Sequence, residues 1–274
     1  MFNKKNICYG HLTKKRFGQH FLKNKKIINN IVGFIQPQNN QEMVEIGPGL
    51  GFLTSEISKY VQHMTTIELD HNLVNRLQDN TVLNHKLKIY NQDVMTFDFN
   101  QLSQQQGKKL RIFGTLPYNI STPLLFYLFN YKHVIKDMHF VLQKEVVNRI
   151  IAKPGNKNYG RLSVMSQYYC EGFSLLEIPP KSFIPSPKVF SVLIRLIPHI
   201  TMPNIVQNIY ALNYVTRIAF SQRRKMLRNS LRKVFSEDII NQIGIDPTLR
   251  AENISVTFYC HLANLLSNNF YDKI

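Results

Sequence analysis

The sequence predicts an α/β protein, with a largely parallel, doubly wound sheet followed by a small helical domain. Three observations carry this. Between residues 43 and 151, short apolar runs that read as strands alternate with segments whose apolar residues recur at helical spacing, the mark of βαβ units. A glycine-rich turn, Gly47-Pro48-Gly49-Leu50-Gly51, follows the first of these strands. Strand signals stop near residue 198, and residues 205–274 read as helical.

The elements follow in order. Residues 1–26 form a basic segment of little periodicity, with Lys4, Lys5, Lys14, Lys15, Arg16 and Lys23 among its charges. A helix is expected over 25–35. Met43 to Ile46 is a short strand ending at the glycine turn, and 53–60 is a helix. Residues 63–69 make the second strand, and a helix starts at Leu73. Strands are expected at 87–90 and 110–113, a helix at 123–129 and a fifth strand at 138–142. Helices at 144–151 and 162–169 and a closing strand at 189–196 complete a domain over 27–200. Pro198 and Pro203 mark the boundary to a helical domain at 201–274, with helices at 214–220, 222–235, 237–243 and 255–268.

Composition narrows the function. At 44% hydrophobic, 274 residues can bury a sizeable core. The 34 basic against 17 acidic residues give a net charge of +17, which points to a polyanionic partner, nucleic acid before anionic membrane. A generally basic proteome is the plain alternative. The N-terminus lacks the apolar stretch of a signal peptide, and no run approaches the ~18 apolar residues of a membrane span. Cys8, Cys170 and Cys260 are far apart with no C-x-x-C, which fits a reducing cytoplasm. The nine histidines form no H-E-x-x-H, so no metal is expected.

Four features sit at successive strand ends. The glycine turn allows a ligand close to the backbone, but Phe52 stands where a dinucleotide fingerprint needs its third glycine. Glu68 follows Gly47 by about 20 residues, where an acid can take both ribose hydroxyls of a nucleoside. Asp93, after the third strand, can accept from an adenine amino group. Singly, such acids are as often solvated strand ends. Together, with no basic residue in the turn to face a pyrophosphate, they describe a pocket for S-adenosylmethionine. The fourth feature is Thr115-Leu116-Pro117-Tyr118, a rigid loop that presents a carbonyl and a flat ring, suited to the exocyclic amine of a base.

Two further segments complete the candidates. Phe183-Ile-Pro185-Ser-Pro187-Lys188 is a stiff arm whose Phe183 could stack on a flipped base and whose Lys188 could meet phosphate; a core Phe183 is the plain alternative. In the run 221–233, Leu227, Leu231 and Val234 give a helix one packing face. Arg223, Arg224, Lys225, Arg228, Arg232 and Lys233 remain for a phosphate-binding face.

The blocks RFGQHFL, VEIGPGLG, TIELD, QDVMTF, GTLPYNIST, YGRLSVMSQYYC, FIPSPKV, QRRKMLRNSL and GIDPTLRAENIS resemble the bacterial 16S ribosomal RNA adenine N6-dimethyltransferases (the KsgA/RsmA family) from about residue 14 to 270. The tail block separates them from the related macrolide-resistance methyltransferases, which are expected to differ in their C-terminal domain. The resemblance implies a Rossmann-like class I methyltransferase sheet with a helical RNA-binding domain. It implies S-adenosylmethionine as donor, S-adenosylhomocysteine as product and no metal. The substrate would be two adjacent adenosines in the 3′-terminal hairpin loop of 16S rRNA in the immature 30S subunit, and the enzyme a cytoplasmic monomer. Carried over by motif, His20, Leu22, Gly47, Gly49, Glu68, Asp93 and Thr115 would hold the donor. Thr115, Leu116, Pro117, Tyr118 and Phe183 would act on the base. Thr115 stands where the family has Asn, and His20 where relatives often have Asn. The Thr115 change keeps open a second reading, a subunit-assembly factor with little catalysis. A DNA-binding relative of the mitochondrial transcription-factor type is disfavoured by the bacterial-looking tail.

Overall fold

The computed structural model describes residues 7–14 and 17–271. Lys4, Lys5, Lys15 and Arg16 of the basic segment lie outside the described residues. In chain order the strands are β1 (Ile7–Cys8), β2 (His11–Leu12), β3 (Phe21–Leu22), β4 (Glu42–Ile46), β5 (Met64–Glu68), β6 (Leu87–Asn91), β7 (Leu110–Thr115), β8 (Ile135–Gln143), β9 (Cys170–Ile178), β10 (Phe183–Ile184) and β11 (Ser191–Pro198). The helices are α1 (Lys25–Ile35), α2 (Phe52–Ile57), α3 (His71–Gln78), α4 (Phe99–Gln106), α5 (Ser121–Phe129), α6 (Lys144–Ile150), α7 (Arg161–Tyr169), α8 (Ile209–Ser221), α9 (Leu227–Leu231), α10 (Glu237–Gln242) and α11 (Val256–Tyr271).

Seven strands form one sheet in the order β6-β5-β4-β7-β8-β11-β9. The β6-β5-β4-β7-β8 ladders are parallel, and β11 is antiparallel to β8. The chain works outward from β4 in one direction, then restarts at β7 on its other side. That reversal opens a crevice at the carboxyl ends of β4 and β7, where doubly wound sheets bind ligands. All five residues of β4 are buried, as a central parallel strand covered on both faces requires.

Local chemistry explains why these elements form. The Asn24 side chain caps α1 by accepting from the Ile27 N–H, and Ile28, Ile31, Val32 and Ile35 are its buried stripe. At the far end of the strands from the crevice, Arg111 donates from Nε and Nη2 to the two oxygens of Asp137 at 2.8 and 2.9 Å, and from Nη2 to the Ile35 carbonyl at 2.7 Å. This ties the end of α1 to β7 and β8. Gly114 fixes the crevice itself. A Cβ there would lie 2.3 Å from the Ile46 carbonyl oxygen, so only glycine lets the end of β7 run this close to the end of β4.

The chain divides into two compact units, Met1–Val147 with Phe173–Pro198, and Asn148–Gly172 with His199–Ile274. The sequence reading kept 148–172 in the sheet domain. The structure groups it with the helical unit because α7 packs on α8 and α11. In that unit Tyr259, fully buried, donates from its hydroxyl to the Ala251 carbonyl at 2.7 Å.

Besides the two-residue strands β1, β2, β3 and β10, two elements went unread in the sequence. The polar run that ends α4 resembles a loop, although Asp98 caps it through the Asn100 and Gln101 N–H groups. Only the two end residues of β9 are buried, as befits the last strand in the sheet order. A helix expected at 222–235 is instead a turn at Gln222 to Lys225 followed by the short α9, with Met226 bridged to Arg250.

Candidate active site

A cavity of about 240 Å³ lies in the crevice, and every residue proposed for donor or base lines it. His20, Leu22, Gly47, Gly49, Glu68 and Asp93 line it, as do Thr115, Leu116, Pro117, Tyr118 and Phe183. The strand ends of β4, β5, β6 and β7 thus converge on one space.

The glycine turn gives it a floor. Gly47, which lines the cavity, has φ +67, and a Cβ there would meet no atom within 4 Å, so the space beside its backbone is open. Gly49 is different, because a Cβ would lie 2.9 Å from the Phe21 ring. The Glu68 carboxylate accepts from the Gly49 N–H at 3.1 Å and the Asp70 N–H at 2.9 Å. Each oxygen keeps a lone pair, so the group can still accept from two hydroxyls. Burial raises its pKa, and the two backbone hydrogen bonds offset part of that rise.

Asp93 spends one oxygen on the Met95 N–H at 2.9 Å, which fixes its direction. Glu45, from β4, was not assigned a role in the sequence reading. It is 2% exposed and lines the cavity, and its Oε2 has no hydrogen-bond partner among the described residues. Burial pushes its pKa up to about 8 and the charge of Glu68 adds to the rise, while Thr54 beside it offsets only part. A buried carboxyl with an unsatisfied oxygen beside a glycine cradle is a site where a cationic, phosphate-free ligand would draw off the proton and pair with the carboxylate.

The loop after β7 is built to present acceptors. The Pro117 carbonyl is used by the Ile120 N–H at 3.2 Å, and the Tyr118 carbonyl by the Ser121 hydroxyl at 3.0 Å. The Leu116 N–H is held by the Val141 carbonyl at 3.3 Å, and among the described residues the Leu116 carbonyl accepts no hydrogen bond. Tyr118 is anchored by a 2.8 Å hydrogen bond between its hydroxyl and Ser191 Oγ. Burial raises the phenol pKa, with the Ser191 bond offsetting part, so the ring stays neutral.

Two site residues behave differently from the sequence reading. His20 stacks on the Tyr118 ring, with centroids 5.5 Å apart and planes at 27°, while its Nδ1 lies 2.7 Å from the Pro185 carbonyl. Phe183 was given the second face of a base sandwich. Its β10 segment pairs with β3, Phe183 opposite Leu22, and the ring is 2% exposed within the main apolar cluster. In this arrangement it supports the cavity wall and offers no free face.

The sequence reading also missed the clamp on the N-terminal segment. Asp70 receives Lys14 Nζ at 2.5 Å and Gln19 Nε2 at 2.9 Å, and it caps α3. Burial opposes its charge, but these hydrogen bonds outweigh it and hold the pKa below the usual range. The clamp sets Phe17 to Leu22 along the cavity rim.

The basic residues proposed for RNA are less uniform than expected. Arg223 donates to Glu252 at 2.7 Å and to the Lys157 carbonyl, and Arg228 pairs with Glu237 at 3.1 Å. The acids come from α10 and from the turn before α11, too far along the chain to be seen as helical pairs. Arg224, Lys225 and Arg232 are exposed, as is Lys188 in the first unit. Among the described residues no group of three His, Cys, Asp or Glu could hold a metal ion. No helix among them is long and apolar enough to cross a membrane.

Comparison with known proteins identifies the family. A family model for ribosomal RNA adenine dimethylase matches residues 10–268. The chain is 56% identical to "Ribosomal RNA small subunit methyltransferase A" of Citrobacter koseri, over 97% of this chain and 98% of that one. It is 55% identical to the protein of the same name from Escherichia coli, over 96% of each. Among solved structures, a dimethyladenosine transferase from Plasmodium falciparum matches with a TM-score of 0.76 at 24% identity, over 92% of this chain and 98% of that one. The 23S rRNA methyltransferase ErmE matches at 0.68 and 20% identity, over 90% and 99%. These are class I methyltransferase folds. The second likeness spans most of this chain, so fold alone does not separate the two groups; the sequence does. The chain belongs to the ribosomal RNA adenine dimethylase family.

Proposed function

We propose that this enzyme transfers methyl groups from S-adenosylmethionine to N6 of two adjacent adenosines in the 3′-terminal hairpin loop of 16S rRNA. It acts as a cytoplasmic monomer on a late assembly intermediate of the small subunit. The observation that carries this is the convergence of Glu68 and Asp93 with Thr115–Tyr118 on a single cavity. The near full-length identity to proteins named for the small subunit favours 16S rRNA over other targets.

The residues present fit the donor. Glu68 would take the ribose hydroxyls, Asp93 the adenine amino group, and the open side of Gly47 the methionine portion. Glu45, neutral in the free chain, would ionise beside the positive charge of the bound donor. When bound, S-adenosylmethionine supplies an electrophilic methyl group on a positively charged sulfur.

The protein's remaining work is on the base. An adenine N6 lone pair is delocalised into the ring and is a poor nucleophile. The target must leave its stack, at a cost of about a few kcal/mol that is smaller in a loop. Tyr118 then offers a face for stacking, and His20 must give way or become its opposite wall. The Leu116 carbonyl accepts one N6 hydrogen and Thr115 Oγ1 the other. Two acceptors draw the nitrogen toward a tetrahedral geometry and localise its lone pair. A strong base is unnecessary, because an ammonium on adenine loses its proton readily. Catalysis is mainly positioning and polarisation.

Thr115 is shorter than Asn and β-branched, so its hydroxyl makes a weaker second acceptor. Under-methylated 30S subunits, incubated with enzyme and donor and analysed by mass spectrometry at the 3′ hairpin, should gain dimethyladenosine. Thr115→Asn should raise kcat by about 10-fold or more with little change in the KM for donor. Equal rates would show that the side chain at 115 is not an acceptor. Absence of methylation in both enzymes would favour the assembly-factor reading.

A further inference from the structure

With the donor at Glu68 and the base at Tyr118, the reading on which this inference rests, one buried carboxylate reaches both sides of the cavity. Asp70, 1% exposed, follows the end of β5 and caps α3 by accepting from the Asn72 N–H. It is not among the residues that line the cavity. Its own N–H donates to Glu68 Oε1 at 2.9 Å, which helps to fix the carboxylate assigned to the ribose. Its side chain holds the segment before β3, through Lys14 Nζ at 2.5 Å and Gln19 Nε2 at 2.9 Å. Gln19 Oε1 also accepts from the Lys14 N–H at 2.8 Å and lies 3.2 Å from His11 Nε2, so three side chains of the segment gather at this acid.

The pair is asymmetric. The Asp70 side chain is fully buried, whereas that of Lys14 is 28% exposed. A buried carboxylate depends on its partners, while a lysine at the rim has water within reach. Asp70 is therefore the fixed point, and the segment docks to it. The docked segment meets the base loop at two places. A Cβ on Gly18 would lie 3.0 Å from Asn119 Oδ1 and 3.6 Å from Pro117 Cβ, so the two backbones run close together. Two residues on, His20 stacks on the Tyr118 ring. Hydrogen bonds and packing thus run without a break from Glu68, through Asp70 and Gln19, to Tyr118.

We infer that Asp70 is a positioning residue for methyl transfer, which sets the spacing of donor and base by aiming Glu68 with its backbone and docking Phe17 to Leu22 with its side chain. A misplacement of about 1 Å at reacting atoms costs about 100-fold in rate. Loss of the docking contacts should therefore appear in kcat at saturating donor, and not in the KM for subunits.

The test uses full-length enzyme at saturating S-adenosylmethionine on under-methylated 30S subunits, with rates normalised to folded protein. Hydrogen exchange of the free enzyme, read by mass spectrometry, follows the segment itself. Asp70→Asn keeps the side-chain shape, an oxygen for the α3 cap and the N–H to Glu68, but one acceptor becomes a donor, so Lys14 and Gln19 are no longer both held. It should lower kcat by about 10- to 100-fold and leave the KM for subunits within about threefold of native. Exchange should rise over residues 17–22 while β5 and α3 keep their protection. Lys14→Met reads the same contact from its exposed partner and should lower kcat in the same range, whereas Lys14→Arg should stay within about threefold of native. Adding Lys14→Met to Asp70→Asn should slow the enzyme no further, because both changes break one contact. Variants that lose Tm but keep native kcat per folded molecule would show a merely structural acid and overturn the inference. Unchanged exchange over 17–22 would do the same. If the native chain methylates subunits and the variants match it, the positioning role fails while the donor-and-base reading stands. A native chain that neither binds donor nor methylates subunits overturns both.

Discussion

Replacing Glu68 with Gln separates the two tasks assigned to that side chain. The carboxylate, 8% exposed, accepts backbone hydrogen bonds from Gly49 at 3.1 Å and Asp70 at 2.9 Å, one on each oxygen. Gln keeps the shape but puts an NH₂ where one oxygen was, and that group cannot accept. Whichever way the amide turns, one buried N–H loses its partner, at about 1–3 kcal/mol. This cost falls on the free enzyme and appears as a drop of several degrees in Tm, at about 2–4 °C per kcal/mol for a domain of this size. The same change removes a charged acceptor for a ribose hydroxyl, worth about 1.5–3 kcal/mol. The Kd for S-adenosylmethionine should therefore rise roughly 10- to 150-fold. Calorimetric titration with the donor and a thermal scan without it read the two effects independently. A Kd within about threefold of native would refute the assignment of Glu68 to the ribose, whatever happened to Tm.

Two further predictions concern charge inside the fold. Glu45 keeps its proton in the folded chain up to a pKa of about 8, whereas the unfolded chain releases it near the ordinary value of 4.5. The folded state thus binds more protons between these limits, and stability without donor should fall as pH rises through this window. Glu45→Gln should flatten that fall, and a parallel decline in both proteins, followed by thermal unfolding, would sink the reasoning. Asp137→Ala would leave Arg111, whose side chain is 7% exposed, as an unpaired charge in the interior. Urea unfolding should show a loss of about 3–5 kcal/mol. A loss below about 1 kcal/mol would mean that water reaches Arg111 freely.

How much of this was legible in the sequence depended on distance along the chain. The strands β4 to β8 announced themselves as local apolar runs, and the acids at their ends, Glu68 and Asp93, followed from strand position alone. The loop at Thr115 was readable because Pro117 restricts its own backbone. What escaped needed partners far apart in sequence. Asp70 meets Lys14 and Gln19 across 56 and 51 residues. Arg223 meets Glu252 across 29. No periodicity reports such pairs, so the arginine run read as one free face. Phe183 was placed on a base because the arm looked extended; its pairing with Leu22, which buries the ring, is a tertiary fact. Strand β9 was hidden by the absence of an apolar run, since most of its residues are not fully buried.

The central claim is that one crevice holds both the donor and the extruded base. A crystal structure of the enzyme with S-adenosylmethionine tests it most directly. The account predicts ribose hydroxyls within hydrogen-bond distance of Glu68, the adenine amino group at Asp93, and the sulfonium methyl directed at the space between the Leu116 carbonyl and the Tyr118 ring. Donor density outside this cavity, or a methyl group turned away from Tyr118, would contradict it.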